Sequence, residues 1–575
     1  MKYISFVPAR RTTHAVDAFD YSIPNDAVIH KGDIIRAPFR NQEIVGMIVD
    51  VRDTSAIADK TKHIPHPAIL LSAGYDAVTL LTLSAERSFC SRPSVLHSWI
   101  RTIPKKAKGL NPSSPTDTKQ ITIPLHDIRY TIDRISEIKK NISTIQGRVL
   151  ILVPWQERAE TLSASMHIPA LHAKVSTARA WNIVQNFATG STRILVTTRI
   201  GAWLSLFADT VIIDEPENDD FKQDEMNPRL DARWMVNCIA HIRKNMSTIQ
   251  ISTTPSITHT EIDWHLVPDL NPHLIISEFQ SRGRSHVDAI SSTALLRLEH
   301  DSQNTVPCFI VHPIRGERAR FVCRDCGWIA PCTNCGFVLS RLTTDAVCRK
   351  CGKKSRAPSV CAHCNGIDLS KSISGGDRVR EQIKNTLGDR VHVIGLANFW
   401  NMSLPEGATI VITDIALIGG AVEDIRRKER LAICFRRLCA IAENAKANLI
   451  LQGEEKLIAQ CRMWLTARGL QNAWKREIDE RALFGYPPSF HMAKLLIDGD
   501  VLQADMLYSD VLLRLPTGYI ASAPLPVPYR PISSKSRFCM QISAPITIQQ
   551  NIFVAFLQQY VGKAIIDLDP IAFFR

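Results

Sequence analysis

Short runs of β-branched and aliphatic residues recur along the chain, and the glycines and prolines between them mark where the backbone turns. I-I-R-A-P-F at residues 34–39 and E-I-V-G-M-I-V-D-V at residues 43–51 predict strands of a small β-rich domain. Residues 80–100 predict the helix that closes it. Residues 101–120, R-T-I-P-K-K-A-K-G-L-N-P-S-S-P-T-D-T-K-Q, are rich in Pro, Ser and Lys and predict a linker. From Ile121 onward apolar runs alternate with helical patterns, the sign of a parallel-sheet domain. Residues 148–154, 193–199 and 210–215 predict three buried strands, and the last, T-V-I-I-D-E, ends in Asp214 and Glu215. A further strand is predicted at residues 307–312.

A chain of 575 residues that is 45% apolar is long enough for several domains with ordinary cores. Its net charge of +13 and pI near 9.1 suggest an anionic partner, most simply a phosphate backbone. No apolar run approaches the roughly 18 residues of a membrane span, and residues 1–9 lack the charged-then-apolar pattern of a signal peptide. No membrane association and a cytoplasmic location are therefore expected.

Residues 323–364 carry four Cys-x-x-Cys pairs: Cys323 and Cys326, Cys332 and Cys335, Cys348 and Cys351, Cys361 and Cys364. Two thiolates at this spacing can turn onto one tetrahedral ion, and two such knuckles close a four-sulfur shell, so eight cysteines predict two Zn2+. Gly327, Gly336 and Gly352 follow three of the pairs, where a tight turn favours glycine. The alternative, a disulfide framework, conflicts with the regular spacing and the absence of a secretory segment. A zinc closed by four thiolates has no open position, so these ions hold a module and do no chemistry. The other seven cysteines lie among apolar neighbours and are expected to be buried thiols.

Near the start, Phe19-Asp20-Tyr21 with Pro24, then Lys31-Gly32, sets two aromatics around one carboxylate. Aromatics stack on unpaired bases and a carboxylate accepts a hydrogen bond from a terminal hydroxyl, so the trio suits a nucleic-acid end. The bland reading is a strand and turn of a core. Together, F-D-Y-x-x-P, K-G, A-P-F-R and V-G-M-I-V resemble the N-terminal DNA 3′-end-binding domain of the primosomal protein N′ family, the PriA replication-restart helicases. That resemblance assigns Asp20 to base-independent recognition of a strand end, with Phe19, Tyr21 and Gly32 shaping the pocket.

The resemblance runs on through residues 149–154, Leu171-His172, Thr198-Arg199, Asp214-Glu215, Lys222-Gln223, Pro228-Arg229, Ala232-Arg233 and Thr254-Pro255-Ser256. It implies a multidomain α/β protein: a DNA 3′-end-binding domain (1–103), a linker (104–120), a first RecA-like helicase lobe (121–283), the start of a second (284–317), a zinc module (318–374), the rest of the second lobe (375–470) and a small α+β C-terminal domain (471–575). It further implies that Cys323, Cys326, Cys361 and Cys364 share one zinc, and that Cys332, Cys335, Cys348 and Cys351 hold the other. At the end of the chain, R-A-L-F-G-Y-P-P at residues 481–488, K-S-R-F at 535–538 and D-L-D-P at 567–570 resemble family strings. In relatives this domain touches branched DNA and the tail of single-strand-binding protein, which makes Arg481, Arg530, Lys535 and Arg537 candidates for phosphate or acidic contacts.

The departures from the family are as informative. A linker of this length has no room for the family's winged helix, which is expected to be missing. No G-x-x-x-x-G-K-[ST] occurs; residues 125–131, L-H-D-I-R-Y-T, stand where the phosphate cradle belongs, with Tyr130 in the lysine's place and only Thr131 surviving. Cβ atoms there block the close backbone approach, and Asp127 repels phosphate. The family's D-E-E-H reads Asp214-Glu215-Pro216-Glu217, and Ile441 and Asn444 occupy the places of its arginine fingers. ATP with Mg2+, expected from the family, thus loses its contacts, and Asp214 and Glu215 are vestigial as catalytic residues. The favoured function is a replication-restart factor that binds forked or single-stranded DNA and 3′ ends and recruits primosome proteins and single-strand-binding protein without ATP-driven unwinding. An active ATP-dependent 3′ to 5′ helicase, and a zinc-stapled scaffold that no longer binds DNA, are the alternatives.

Overall fold

The computed structural model describes the chain except residues 13–16, 56–57, 59–60, 101–102, 104–125, 225, 259–261, 279–289, 313–319, 324, 327, 329, 334–338, 342–344, 349–352, 368, 373–374, 420–424, 528–536 and 572–575. The expected linker, Cys335, Cys351, Arg530 and Lys535 fall outside the described residues. The chain forms two compact units. One contains residues 1–252 with 551–561 and 566–571; the other contains residues 253–550 with 562–565.

In the first unit, β1 (Lys2–Pro8), β2 (Phe19–Ile23), β3 (Asp33–Phe39), β4 (Gln42–Arg52), β5 (Lys62–His63) and β6 (Ile69–Ser72) make a sheet in the order β5-β2-β1-β4-β3-β6. Its long pairings are antiparallel, and the predicted β-rich N-terminal region is thus present. The single helix expected over residues 80–100 is in fact two, α1 (Gly74–Ser88) and α2 (Arg92–Trp99). Phe89 ends α1 in the left-handed region at φ 52°, and Pro93 in the first turn of α2 suits a new start.

A second sheet in the same unit is wholly parallel, in the order β7-β12-β11-β8-β10-β9. Its strands are β7 (His126–Tyr130), β8 (Val149–Leu152), β9 (Ala170–Leu171), β10 (Ile194–Thr197), β11 (Thr210–Asp214) and β12 (Ser247–Ser252). Helices α3 (Arg134–Thr144), α4 (Gln156–Met166), α5 (Thr177–Ala188) and α6 (Ala232–Ile242) connect them. Because strand side chains alternate, Val149 and Ile151 pack with Ile138 of α3 and Leu162 of α4, while Leu150 and Leu152 pack in a cluster that includes Trp181, Val236, Leu81 and Trp99. Each such side chain contributes about 2 kcal/mol by leaving water. This second cluster joins α1 and α2 to the parallel sheet.

The second unit holds another parallel sheet, ordered β13-β22-β21-β14-β20, from β13 (His273–Glu278), β14 (Cys308–His312), β20 (Val391–Gly395), β21 (Thr409–Ile412) and β22 (Asn448–Gly453). Between β14 and β20 lies a small antiparallel sheet: β15 (Arg320–Cys323), β16 (Ser340–Arg341), β17 (Asp345–Val347), β18 (Lys354–Arg356) and β19 (Leu369–Ser372). The helices are α7 (Ser292–Gln303), α8 (Gly375–Thr386), α9 (Leu396–Phe399), α10 (Arg427–Asn444), α11 (Glu455–Met463) and α12 (Ala467–Leu483). After them β23 (Phe490–Asp498), α13 (Val501–Arg514), β24 (Ile520–Ala521), β25 (Leu525–Pro526) and β26 (Arg537–Pro545) form an antiparallel layer. Among the described residues no helix is long and apolar enough to cross a membrane.

Candidate nucleic-acid interface and metal centre

Strand β2 alternates its side chains, so Phe19 and Tyr21 leave on one face and Asp20 on the other. The Asp20 carboxylate accepts from Arg52 Nη2 at 2.7 Å and from Ser55 Oγ at 2.9 Å. A carboxylate has about four lone-pair sites, so two donors leave room for a hydroxyl. Phe19 is half-buried and meets Phe39 edge-on, with ring centroids 5.3 Å apart. The guanidiniums of Arg10 and Arg40 lie over Phe39 at 5.7 and 5.9 Å from its centroid. Two aromatics and two cations thus share one patch, the combination that stacks bases and holds phosphate. Tyr21 is buried instead: its ring meets Phe6 and its hydroxyl donates to the Pro38 carbonyl at 2.8 Å. Gly32 has φ of 92°, and a Cβ there would stand 1.9 Å from the Gly74 carbonyl oxygen, so only glycine fits. Phe39, Arg10, Arg40 and Arg52 were not singled out from the sequence. The A-P-F-R string contained two of them.

The stretch 126–130 is not a degenerate phosphate loop but strand β7, paired in parallel with β12 from Thr248↔His126 to Ser252↔Tyr130. Three residues, Thr131 to Asp133, then lead into α3. A helix N-terminus after a parallel strand is a ready anion site. Here the chain fills it with its own anion, since the Asp133 carboxylate accepts from the backbone N–H and the hydroxyl of Ser136 at 3.0 and 2.6 Å.

Asp214 ends β11 and Glu215 follows it, both buried. Arg134 Nε donates to Asp214 Oδ1 at 2.9 Å and Arg158 Nε to Asp214 Oδ2 at 2.6 Å. Arg134 also pairs with Glu215, whose φ is 58°. Burial works against the charged Asp214, but the Arg158 and Arg134 charges win and hold its carboxyl below the ordinary value. Glu217 accepts from Ser252 Oγ at 2.8 Å, and burial with the adjacent Glu215 charge pushes it up to about 8. ATP and Mg2+ do not fit these residues: guanidiniums cover both Asp214 oxygens, and Asp133 occupies the helix terminus.

Two motif groups that are far apart in sequence meet in space. In the first unit Asp567 is buried against Lys222, Nζ to Oδ1 3.1 Å, and Arg229, Nη1 to Oδ2 3.5 Å, while Arg87 Nη2 reaches Asp569 at 2.5 Å. In the second, Glu429 accepts from Ser256 Oγ at 2.9 Å, Arg426 Nε at 3.0 Å and Arg481 Nη1 at 3.3 Å. Although burial opposes it, the Arg426 and Arg481 charges pull the Glu429 carboxyl down to about 2. Arg481 also donates to Glu477 at 3.0 Å and is 4% exposed, so this arginine is structural and not the surface contact expected from the sequence. Arg537 forms a fork with Asp498, its partner across the β23 and β26 register, at 2.6 and 2.9 Å. Ile441 and Asn444 lie in the last turns of α10.

The sulfurs of Cys323, Cys326, Cys361 and Cys364 lie within 4.8 Å of one another and can hold a metal ion. Cys323 Sγ is 3.5 Å from Cys364 Sγ and Cys326 Sγ is 3.6 Å from Cys361 Sγ. Zn–S bonds of about 2.3 Å in a tetrahedron require sulfurs about 3.8 Å apart, so the set fits zinc. Backbone turns build each knuckle: Cys323 N–H donates to the Trp328 carbonyl and Cys361 N–H to that of Gly366, each at 2.8 Å. Cys332 and Cys348 are buried beside Phe321 and Ala330, and their expected co-ligands Cys335 and Cys351 lie outside the described residues.

Residues 11–100 match the PriA 3'DNA-binding domain (3'BD). The chain is 21% identical over 249 residues to the replication restart protein PriA of Haemophilus influenzae, covering 40% of this chain and 33% of that one. It is 25% identical over 252 residues to the protein of the same name from Synechocystis, covering 39% and 29%, and 23% identical over 423 residues to that of Rickettsia conorii, covering 64% and 63%. The first two matches thus span about a third of those relatives' length, and the third just under two thirds.

Proposed function

We propose that this chain, a divergent member of the PriA replication restart family, acts in replication restart by binding DNA forks and 3′ ends and recruiting partners, without ATP-driven unwinding. The observation that carries the first half lies on β2 within the matched residues 11–100: Asp20 keeps lone pairs to spare beyond Arg52 and Ser55, while Phe19, on the other face of the strand, meets Phe39 under two arginines. A terminal 3′-hydroxyl donates to Asp20, a contact that any base sequence satisfies, and the Phe19–Phe39 patch is a separate surface for bases further along the DNA. Arg40 and Arg10 supply phosphate contacts.

What supports the second half is the charge arrangement after β7 and β11. An Mg2+ needs open carboxylate oxygens and a γ-phosphate needs free backbone N–H groups. In this chain two guanidiniums and one aspartate take their places. On this reading the parallel sheets at 121–283 and at 284–317 with 375–470 are RecA-like lobes that serve as a platform. The two-zinc module at 318–374 and the C-terminal domain at 471–575 are surfaces for single-strand-binding protein and primosome proteins, with Arg537 at the latter.

One experiment tests both halves. Purified full-length chain is titrated with a fluorescent ATP analogue and, in the same buffer and salt, with forked DNA carrying either a free or a 3′-phosphorylated end. No analogue binding, and a preference for the free end that Asp20→Ala removes, are expected. Oligonucleotide-stimulated ATP turnover overturns the second half, and equal binding of both ends by the parent chain overturns the first.

A further inference from the structure

The first unit contains a cavity of about 260 Å³ between α2, the turn of 3-10 helix at Arg199–Phe207 and the segment that precedes α6. Its walls are largely apolar and include Trp99, Trp203, Met226 and Met235; the two indoles are nearly parallel, with centroids 6.4 Å apart. Two exposed arginines, Arg11 and Arg199, line it as well. Most buried cations of this unit, such as Arg134, Arg158 and Lys222, answer a carboxylate. These two do not among the described residues: Arg11 reaches Met226 Sδ at 3.3 Å and Arg199 donates to the Asp220 carbonyl at 3.0 Å. A concave apolar site lined by indoles, with unneutralised guanidiniums on it, suits a ligand with a flat apolar body and an anionic flank.

The geometry points to an unpaired nucleobase as the occupant, with the phosphates on either side of it on Arg11 and Arg199. Two facts favour a nucleic-acid strand over another ligand of that chemistry. Arg11 and Trp99 belong to residues 11–100, which match a 3'DNA-binding domain. The site also pairs an apolar concavity for the base, whose walls include the two buried indoles, with exposed arginines for the backbone, the combination by which sequence-tolerant single-strand sites work. Neither Asp20 nor Phe19 lines this cavity, so it is a second contact on the strand, away from the terminal hydroxyl. The inference rests on the DNA-binding reading above, and its test separates the two.

The test compares an oligothymidylate, 3′-phosphorylated to silence end recognition, with an abasic sugar-phosphate strand of equal length and charge, by fluorescence anisotropy on the full chain. The intact strand is expected to bind about tenfold tighter than the abasic one, the scale of one base stacked on aromatic surface. Met226→Trp, which fills the cavity, is expected to bring that ratio to about one. Arg199→Glu, an exposed substitution that spares the core, is expected to weaken both strands about tenfold. Equal binding of intact and abasic strands by the parent chain, a ratio that survives Met226→Trp, or strand affinity untouched by Arg199→Glu each overturns the proposal. Saturation of the cavity by an acidic peptide ending in phenylalanine, with no response to bases, does so too. Loss of the blocked strand with retention of the free 3′ end overturns the cavity while the end-recognition reading stands.

Discussion

Two buried carboxylate clusters, built from the same kinds of side chain, behave in opposite ways. At the end of β11, Asp214 and Glu215 engage the two guanidiniums of Arg134 and Arg158, and Glu217 nearby is pushed up to about 8 by burial and the Glu215 charge. Around α10, Glu429 and Glu477 are answered by Arg426, Arg481 and Lys428, and Glu429 is pulled down to about 2. The difference lies in supply of positive charge, not in burial, since all three of Glu217, Glu429 and Asp214 are buried. A cluster short of cations leaves one carboxyl raised; a cluster with cations to spare is a structural fastening.

Substitutions sharpen or break this contrast. The largest expected effect is from Arg158→Met, which leaves one side of Asp214 buried without a partner and costs about 3–5 kcal/mol, read as a lower urea midpoint for the unit that contains it. Glu429→Gln is expected to cost about 3 kcal/mol at neutral pH, because Arg426 and Arg481 then lose the buried carboxylate charge between them. The parent's advantage exists above the unfolded value of 4.5 and is lost as pH falls toward 2, so the gap between the two must close across that window. Glu217→Gln has the opposite sign. The raised carboxyl makes the parent lose stability as pH rises from 4.5 to about 8, so the amide is expected to be the more stable by on the order of 4 kcal/mol at pH 8 and equal below pH 4.5. A stabilisation curve that fails to diverge over that range breaks the comparison. The smallest effect is from Asp498→Asn at the partly exposed fork with Arg537, less than about 1 kcal/mol and weaker in high salt.

What could be read in advance followed local rules. Residues 149–152, 194–196 and 211–213 are uninterrupted apolar runs that a covered parallel sheet accommodates, and the cysteine spacing carries its own geometry. What escaped depends on separation. Arg158 meets Asp214 across 56 residues, Ser256 meets Glu429 across 173, and nothing near an arginine in the sequence says that its head group turns inward. Arg481 was read as a surface cation for that reason. Strand β7 was missed because its side chains, H-D-I-R-Y, are polar and only half-buried at the sheet edge, where the apolar signal is weakest. The break at Phe89 lay inside a pattern that stays apolar on both sides of it.

Asp567 has a consequence for how the chain is made. Lys222 and Arg229 are interior groups whose counter-ion is translated more than 300 residues after them. During synthesis the first unit therefore waits for this carboxylate through production of most of the second unit. A nascent chain halted before Asp567 is an incomplete substrate for quality control however finished its amino-terminal half looks, and expression fragments that stop short of it inherit the same defect.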